Sequence, residues 1–258
     1  MLNHTRIDLS SVCLKLHIDP IRILFMLGIF EILVFPVILM LLNIPLRSTI
    51  LISIATMLLT IIAFLLFFYR DPERKPLSGD NLILSPADGS IKYIKEINKG
   101  ELIFSTKGKN KIKLEELTKS NFFSESNGYI IGVTMNLFDV HVNRAPIEGT
   151  VKWSKHNPGK FIRVTIEDFE ILNESQTTVI EHEKGYMIGV IQIATFLVRG
   201  IESYLRDGDI VKIGDRIGRI KLGSQVDVII PFSSIEIMVE PGDRVYAGES
   251  ALAKLTCQ

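Results

Sequence analysis

The stretch Thr49–Phe68 restricts what this chain can fold into more than any other part of it. Its 20 residues carry no charge, and an α-helix of that length spans about 30 Å, the thickness of a bilayer's hydrocarbon core. A second apolar run, Ile23–Leu42, precedes it and contains Glu31 and Pro36. A buried core hairpin of a soluble protein is the alternative, which the charge-free second run disfavours. We predict a transmembrane helical hairpin with helices at about 23–42 and 49–68.

The first helix has another possible placement, because a glutamate inside a membrane is costly and a proline kinks a helix. It would then lie in the membrane interface or re-enter. Basic residues flank the hairpin on its outer sides, at Arg6, Lys15, Arg22, Arg70, Arg74 and Lys75, whereas the loop holds only Arg47. The positive-inside rule then puts both ends on the cytoplasmic side of the cell membrane. We assign residues 1–75 to this membrane-anchoring segment.

Charge and cysteine content exclude several classes of function. The 29 basic and 29 acidic residues balance, which argues against a nucleic-acid partner. The two cysteines, Cys13 and Cys257, lie at opposite ends of the sequence without the spacing of metal ligands. They predict neither a disulfide framework nor a metal site.

Residues 76–258 change to short β-prone runs separated by Gly, Pro and Asp turns, a pattern typical of a mainly antiparallel β domain. The runs are Ile91–Ile97, Ile131–Met135, Gly149–Trp153, Phe161–Ile166, Tyr186–Gln192, Val211–Ile213, Val226–Ile230 and Ile235–Val239. Thr195–Tyr204 and Ile112–Lys119 are the expected short helices. Glycine-aspartate corners at Asp88, Asp215 and Asp243 favour a β-sandwich in the barrel-sandwich style of biotinyl and lipoyl domains.

Three places in this domain carry candidate chemistry. Asp88 lies on a tight turn, where an Asp-Gly pair is usually a turn device whose glycine supplies a positive φ. Asp139, His141 and Asn143 alternate and would share one face of a strand. Gly223-Ser224 interrupts a strand pattern, which usually marks a bulge or a close approach of two backbones. Taken singly, each of these features has an ordinary structural explanation.

Five motifs in order resemble the phosphatidylserine decarboxylase proenzymes in their shorter form. They are Phe68-Tyr-Arg-Asp-Pro-Glu-Arg74, Ser85-Pro-Ala-Asp-Gly89, the run Asp139–Val151, Pro158-Gly-Lys-Phe161 and Leu222-Gly-Ser-Gln-Val-Asp227. The resemblance covers the chain from about Phe68 onwards. Residue 225 is Gln where that family often has Thr or Arg, and Asn173–Gln176 matches the family's pattern only in part.

The resemblance implies autocatalytic serinolysis between Gly223 and Ser224. Ser224 would become a pyruvoyl group, the cofactor, at the start of the fragment 224–258. Asp88 and His141 fall on the positions that activate the serine, since a His oriented by a carboxylate is the usual way to deprotonate a hydroxyl. The α and β fragments would stay associated, in a homodimer.

The implied reaction is decarboxylation of phosphatidylserine to phosphatidylethanolamine and CO2 at the membrane surface, with the bilayer as a partner. The pyruvoyl carbonyl would accept the electrons that CO2 leaves behind, and His141 would protonate the product carbon. Arg144 and Asn143 are the expected substrate-binding residues. Arg70, Arg74 and Arg144 would face the anionic headgroup, or else anchor the chain at the membrane interface or form salt bridges with Asp71 and Glu73.

Other functions remain open at this point. The chain could be a non-catalytic, membrane-anchored scaffold or adaptor of the biotinyl/lipoyl type, or an inactive relative that is never cut. A hydrolase using Ser224 lacks the Gly-x-Ser-x-Gly elbow. The substrate could also be archaetidylserine, because ester-linked and ether-linked lipids present the same serine headgroup.

Overall fold

The computed structural model describes residues 20–103, 111–160, 169–195, 200–221 and 224–256. The chain divides into two compact units. One contains the residues up to Arg70 together with Asn136–Val140, and the other contains the rest. We describe the two units one after the other.

The first unit is helical where the sequence predicts helices. Its segments are α1 (Pro20–Ile29), a π-helical turn (Phe30–Val34), α2 (Phe35–Leu41) and α3 (Leu46–Phe68). The π turn lies just before Pro36, whose missing N–H cannot continue an α-helical pattern. The Phe35 N–H bonds instead to the Phe30 carbonyl, five residues back.

Glu31 in the π turn finds a polar contact on α3, where the Thr60 hydroxyl donates to its carboxylate at 3.0 Å. In the described part of the chain, Leu46–Phe68 is the one helix long and apolar enough to cross a membrane, whereas the apolar helix Phe25–Leu41 is shorter. Many apolar side chains of both helices are exposed in this unit.

Arg70 is bound within this unit. Its guanidinium lies 3.9 Å from the centre of the Phe67 ring and donates to the carbonyls of Phe67 at 2.8 Å and Phe138 at 2.5 Å. Asp139 lies in a turn, where its carboxylate accepts the Asn136 N–H at 2.7 Å. The expectation that Asp139 shares a strand face with His141 and Asn143 is therefore wrong, because that turn ends before the strand begins.

The second unit is mainly β, as the sequence predicts. Its strands are β1 Leu82–Leu84, β2 Gly89–Ile97, β3 Glu101–Ile103, β4 Lys111–Lys113, β5 Gly128–Met135, β6 Val142–Arg144, β7 Gly149–Asn157, β8 Ser175–Glu181, β9 Met187–Ala194, β10 Ile201–Ser203, β11 Ile210–Val211, β12 Arg216–Ile220, β13 Ser224–Ile230, β14 Ile235–Ile237, β15 Arg244–Val245 and β16 Ala251–Leu255. Two short helices, α4 (Leu114–Thr118) and α5 (Phe169–Leu172), accompany them.

Strand β13 lies inside an eight-stranded antiparallel sheet of order β11-β7-β8-β9-β13-β5-β2-β15. Smaller sheets have the orders β1-β16-β14 and β10-β12-β6, and β3 pairs with β4. Val226, Val228 and Ile230 of β13 enter the principal core. Ile229 enters a second core with Leu114, Leu117 and Phe123. Burial on both faces explains why β13 ends in a run of apolar residues.

Several sequence expectations differ from this fold. The predicted helix Thr195–Tyr204 is wrong, because Ile201–Ser203 forms strand β10 and pairs with β12. Ile112–Lys119 is part strand β4 and part helix α4. The predicted strand Phe161–Ile166 lies outside the described residues. Strand β8 was not predicted. Its sequence, Ser-Gln-Thr-Thr-Val-Ile-Glu, is largely polar, although all of its residues except the last are buried.

A connector, residues 71–77, is held on the β unit by charged side chains. The Arg74 guanidinium grips both oxygens of Asp88, with N–O distances of 2.5 and 2.7 Å, and also donates to the Ala247 carbonyl at 3.0 Å. These two side chains are only 4% and 5% exposed. A buried bidentate pair of this kind is strong, provided that both members stay in place.

Arg144 and Arg216 hold the start of the connector. Arg144 donates to the Pro72 carbonyl at 3.0 Å and approaches Asp71 at 3.4 Å. Arg216 binds Asp71 at 2.6 Å and Glu73 at 2.7 Å. The expected alternative for Arg144, a salt bridge to Asp71, is thus present in the structure.

Replacing Arg74 by leucine should destabilise the β unit far more than replacing Arg216. Arg74→Leu leaves the Asp88 carboxylate buried opposite an apolar side chain, a change that costs about 3–5 kcal/mol. Arg216→Leu removes partly exposed pairs, worth about 0–1 kcal/mol. Urea unfolding of the full chain in detergent, followed by the fluorescence of Trp153, measures both. Equal losses in the two variants would contradict a special role for the buried pair.

Candidate active site

The turn that carries Asp88 is built by its neighbours. The Ser85 hydroxyl donates to the Ala87 carbonyl at 2.8 Å, closing the turn. Gly89 begins strand β2 without a positive φ, contrary to the expectation for an Asp-Gly turn. A β-carbon at Gly89 would lie 2.3 Å from the Thr134 carbonyl oxygen. The glycine is therefore needed because strand β5 passes too close for any side chain.

The charge of Asp88 is balanced inside this turn. Besides the two bonds from Arg74, its carboxylate accepts the Ala247 N–H at 2.8 Å. Burial alone would lower the pKa of Arg74, but the contact with Asp88 outweighs it and raises that pKa above its ordinary value. The pair is thus a fixed charge–charge contact. Arg74 precedes the expected cleavage point in the sequence and Ala247 follows it. Residues from both sides of that point therefore hold the Asp88 carboxylate in place.

His141 is 2% exposed and immediately precedes strand β6. Its carbonyl accepts the Ile220 N–H at 3.2 Å, which ties it to the end of β12. Three residues further on, the Arg144 N–H donates to the Pro86 carbonyl at 2.8 Å. Two backbone bonds therefore hold the His141 segment between the Asp88 turn and the strand that leads to Ser224.

Ser224 is the first residue of β13 and pairs with Met135 on β5 and Ala194 on β9. Gly223 lies outside the described residues. From Ile220, which bonds to His141, the chain reaches Ser224 in four residues and spans at most about 14 Å. The N-terminal end of β13 is thereby kept in the neighbourhood of His141.

Asn143 is fully buried and lies against the residues that flank position 224. Its side-chain carbonyl accepts a bond of 2.7 Å from Gln192, which pairs with Val226. Its amide donates to the sulfur of Met135 at 3.9 Å, and Met135 pairs with Ser224. The structure thus brings the Asp88 turn, His141, Asn143 and the start of β13 together.

Arg144 follows on the same strand but is bound by protein groups. It is 5% exposed and donates to the Gly214 carbonyl at 2.9 Å in addition to its connector contacts. Burial lowers the pKa of Arg144, and the nearby Arg216 charge lowers it further. A substrate contact for Arg144 stays a prediction, and it would have to coexist with these bonds.

Sequence reasoning missed a cluster of buried and half-buried polar residues on the other face of β13. Its members are Lys92, Tyr93, Glu170, Gln225 and Asp227. Burial raises the pKa of Asp227 to about 7, and the Glu170 charge adds to that effect. Burial also raises the pKa of Glu170. The available signal was the alternation of Gln225 and Asp227 with valines, which marks a strand with one polar face.

The comparison with known proteins agrees with this arrangement. The family model described as phosphatidylserine decarboxylase matches residues 61–253. A protein of Methanocaldococcus jannaschii named as an archaetidylserine decarboxylase proenzyme is 40% identical over 195 residues, covering 75% of this chain and 91% of that one. A protein of the same name from Methanothermobacter thermautotrophicus is 36% identical over 223 residues, covering 81% and 94%.

A bacterial relative gives the same result. The phosphatidylserine decarboxylase proenzyme of Polynucleobacter asymbioticus is 35% identical over 195 residues, covering 76% of this chain and 80% of that protein. The residues matched by the family model, 61–253, include the Asp88 turn, His141, Asn143 and Ser224. This chain therefore belongs to the phosphatidylserine decarboxylase family of enzymes.

Proposed function

We propose that this chain cuts itself between Gly223 and Ser224 and then decarboxylates phosphatidylserine to phosphatidylethanolamine and CO2 at a membrane surface. The observation that carries the proposal is the position of Ser224. It opens the strand at the centre of the sheet, at the end where His141 and Asn143 are held. Self-cleavage there would leave the new chain end inside the site.

The proposed cleavage needs a base and a strained or mobile acyl group. His141 takes the Ser224 proton, and the serine oxygen bonds to the Gly223 carbonyl carbon while the peptide C–N bond breaks, giving an ester. Elimination then releases the Gly223 carboxylate, and hydrolysis of the remaining dehydroalanine gives the pyruvoyl group and ammonia. Asp88, held by Arg74 and the Ala247 N–H, fixes the turn to which the His141 segment is tied by the bond from the Arg144 N–H to the Pro86 carbonyl, and in this way it would keep His141 in place for that step.

The buried surroundings of position 224 fit an uncharged chain end. Asn143 and Gln225 are both fully buried, and an ammonium group at this place would lack water. A pyruvoyl group carries no such charge, and it supplies a carbonyl that binds the substrate amine and accepts the electron pair left by CO2. His141 delivers the proton to the product carbon, and Asn143 and Arg144 contact the headgroup.

The fragments 1–223 and 224–258 stay associated under this proposal. The fragment 224–258 contributes β13 between β5 and β9, β15 beside β2, and β16 beside β1. Its Ala247 also bonds to Asp88 of the fragment 1–223. Separating the fragments would leave two central strands with open edges and a buried core exposed.

The helical unit is the proposed membrane anchor, with both helices spanning the bilayer and the domain on the cytoplasmic side. The Thr60 bond to Glu31 supports this by giving the glutamate a polar contact within the helix pair. The family supports a homodimer. Register shifts in β2 and β7 bend the sheet, in keeping with a β-sandwich of the biotinyl/lipoyl style for residues 76–258.

Archaetidylserine is a second candidate substrate. Two relatives at 40% and 36% identity carry that name. Both lipids present a phosphoserine headgroup, so the same site residues would serve either one. Vesicles of ester-linked phosphatidylserine and of the ether-linked lipid, assayed side by side for CO2 release, distinguish them.

Intact mass spectrometry of the detergent-purified protein tests self-cleavage. We expect two chains, with the fragment 224–258 lacking a free amine at its start. Ser224→Ala should give a single chain, because alanine has no nucleophile. Thr118→Val, a matched loss of one hydroxyl far from the cleavage point in sequence, should be cut like the wild type.

An uncut wild-type chain would overturn the proposal and favour the non-catalytic scaffold. A wild-type chain that is cut but releases no CO2 from either lipid would overturn the decarboxylation and leave the cleavage standing.

The association of the fragments is tested by size exclusion in detergent. We expect the fragment 224–258 to elute with the larger fragment through repeated runs, because β13 is hydrogen-bonded along both edges. It should separate only under denaturing conditions. Separation under native conditions would contradict the proposed assembly of the cut enzyme.

A further inference from the structure

Gln225, the residue after Ser224, is bound at three points by its side chain. Lys92 donates to its carbonyl oxygen at 3.0 Å. Its amide nitrogen donates to the Tyr93 hydroxyl at 2.9 Å and to the Asp227 carboxylate at 2.8 Å. Tyr93 closes the ring of contacts by donating to Asp227 at 2.8 Å. The amide group of Gln225 is therefore fixed in position and in orientation.

A β-bulge makes this geometry possible. Neighbouring residues of a regular strand point to opposite faces, so Lys92 and Tyr93 would not reach the same side chain. The register of β2 against β5 shifts between Ile91 and Tyr93, and Lys92 is the extra residue. Bulges of this kind re-aim side chains. The bulge allows both Lys92 and Tyr93 to contact Gln225.

Gly132 leaves the space that the Tyr93 side chain needs. Strand β5 lies between β2 and β13, so Tyr93 has to reach across it. At Gly132, which pairs with both Tyr93 and Asp227, a β-carbon would lie 2.6 Å from the Tyr93 ring. The missing side chain leaves the ring its path to Asp227 and Gln225.

Ionisable groups face Asp227 from two elements. The facing ionisable groups are Lys92, Tyr93 and Lys95 on β2 and Glu170 on α5. Burial raises the pKa of Asp227 to about 7, whereas its bonds from Tyr93 and Gln225 favour the charged form. Burial also raises the pKa of Tyr93, which stays a hydroxyl donor. The ionised carboxylate accepts both bonds at once, and a proton on it removes one acceptor.

We propose that Gln225, clamped by Lys92, Tyr93 and Asp227, is the positioning residue that fixes the start of β13 for cleavage at Ser224. This inference rests on the proposed function and adds to it a group on the face of the sheet opposite Asn143. Strand ends fray, and attack on a carbonyl needs atoms held in a near-attack geometry. A clamp on the adjacent residue restricts the motion of Ser224 without touching the reacting atoms.

The test is the rate at which newly made full-length chain is cut. The chain is synthesised cell-free with phosphatidylcholine vesicles, and samples quenched at set times are separated by size. Gln225→Leu keeps the volume but removes all three bonds, and it should slow cleavage by at least about tenfold. Tyr93→Phe removes a single hydroxyl and should slow it by a smaller factor.

The matched control is Thr118→Val, which deletes another fully buried hydroxyl. That hydroxyl donates to the Leu114 carbonyl at 2.8 Å in helix α4, so its loss should leave the cleavage rate unchanged. Melting temperatures of the same variants in a Ser224→Ala background measure any common loss of stability. Rates that follow melting temperature across all three variants would overturn the clamp.

The pH dependence provides a readout that a purely structural role would not move. Asp227→Asn cannot ionise, so the ratio of wild-type to variant cleavage rates should be large at about pH 8 and fall towards one at about pH 6. Taking the ratio cancels the titration of His141, which both proteins share. A ratio that is constant with pH would overturn the role of the Asp227 carboxylate.

The two proposals fail in different ways. A wild-type chain that is cut, together with Gln225→Leu cut at the same rate, would overturn the clamp alone. A wild-type chain that is never cut would overturn the clamp and the proposed function together.

Discussion

The pairing of β13 on both of its edges is the constraint on which the rest of the structure depends. One edge bonds to β5 and the other to β9, from Ser224 onwards. This pairing separates the two apolar cores and gives position 224 fixed neighbours in Met135 and Ala194. The site residues gather where that strand begins, because β6 and β12 meet there. The candidate active site and the two apolar cores therefore depend on the same hydrogen bonds, those between β13 and its neighbours β5 and β9.

Two carboxylates near this strand, those of Asp88 and Asp227, are buried, and the protein compensates their burial in different ways. Asp88 is matched by a guanidinium in a bidentate pair, so its charge is balanced at contact distance. Asp227 accepts hydrogen bonds from the Gln225 amide and the Tyr93 hydroxyl. The Lys92 ammonium donates to Gln225 and not to Asp227 itself. Its raised pKa means that the fold is favoured below the unfolded pKa and loses that stabilisation as the pH rises through about 7. The ionised clamp is thus held at some expense of stability.

Much of the fold could be predicted from the sequence, because hydrophobic length and period are local properties. The helices at 20–41 and 46–68, the β class and most strand positions follow from them. Strand β8 was missed because its buried residues are polar, and the stretch at Ile201–Ser203 was misread because its pairing with β12 outweighs local preference. The need for glycine at position 89 could not be predicted either, because it arises from the close passage of strand β5.

The site was predictable only as far as short motifs extend. Asp88, His141 and Asn143 were named from the sequence, and the structure gathers them near Ser224. The Arg74 pair with Asp88 and the ring of bonds around Gln225 join residues that are distant in sequence. The second also depends on a bulge, and a one-residue change of register is not readable from side-chain alternation.

The central place of β13 also has a consequence for the order of events during synthesis. Strands β5 and β9 are made first, and in the folded sheet they lie two strand spacings apart, about 9.5 Å, with residues 224–230 between them. Ala247, which helps to set Asp88, is made later still. The carboxylate, the imidazole and the serine therefore reach their places only when the last strands dock. Under the proposed self-cleavage, the chain would therefore be cut only after its final part has been translated.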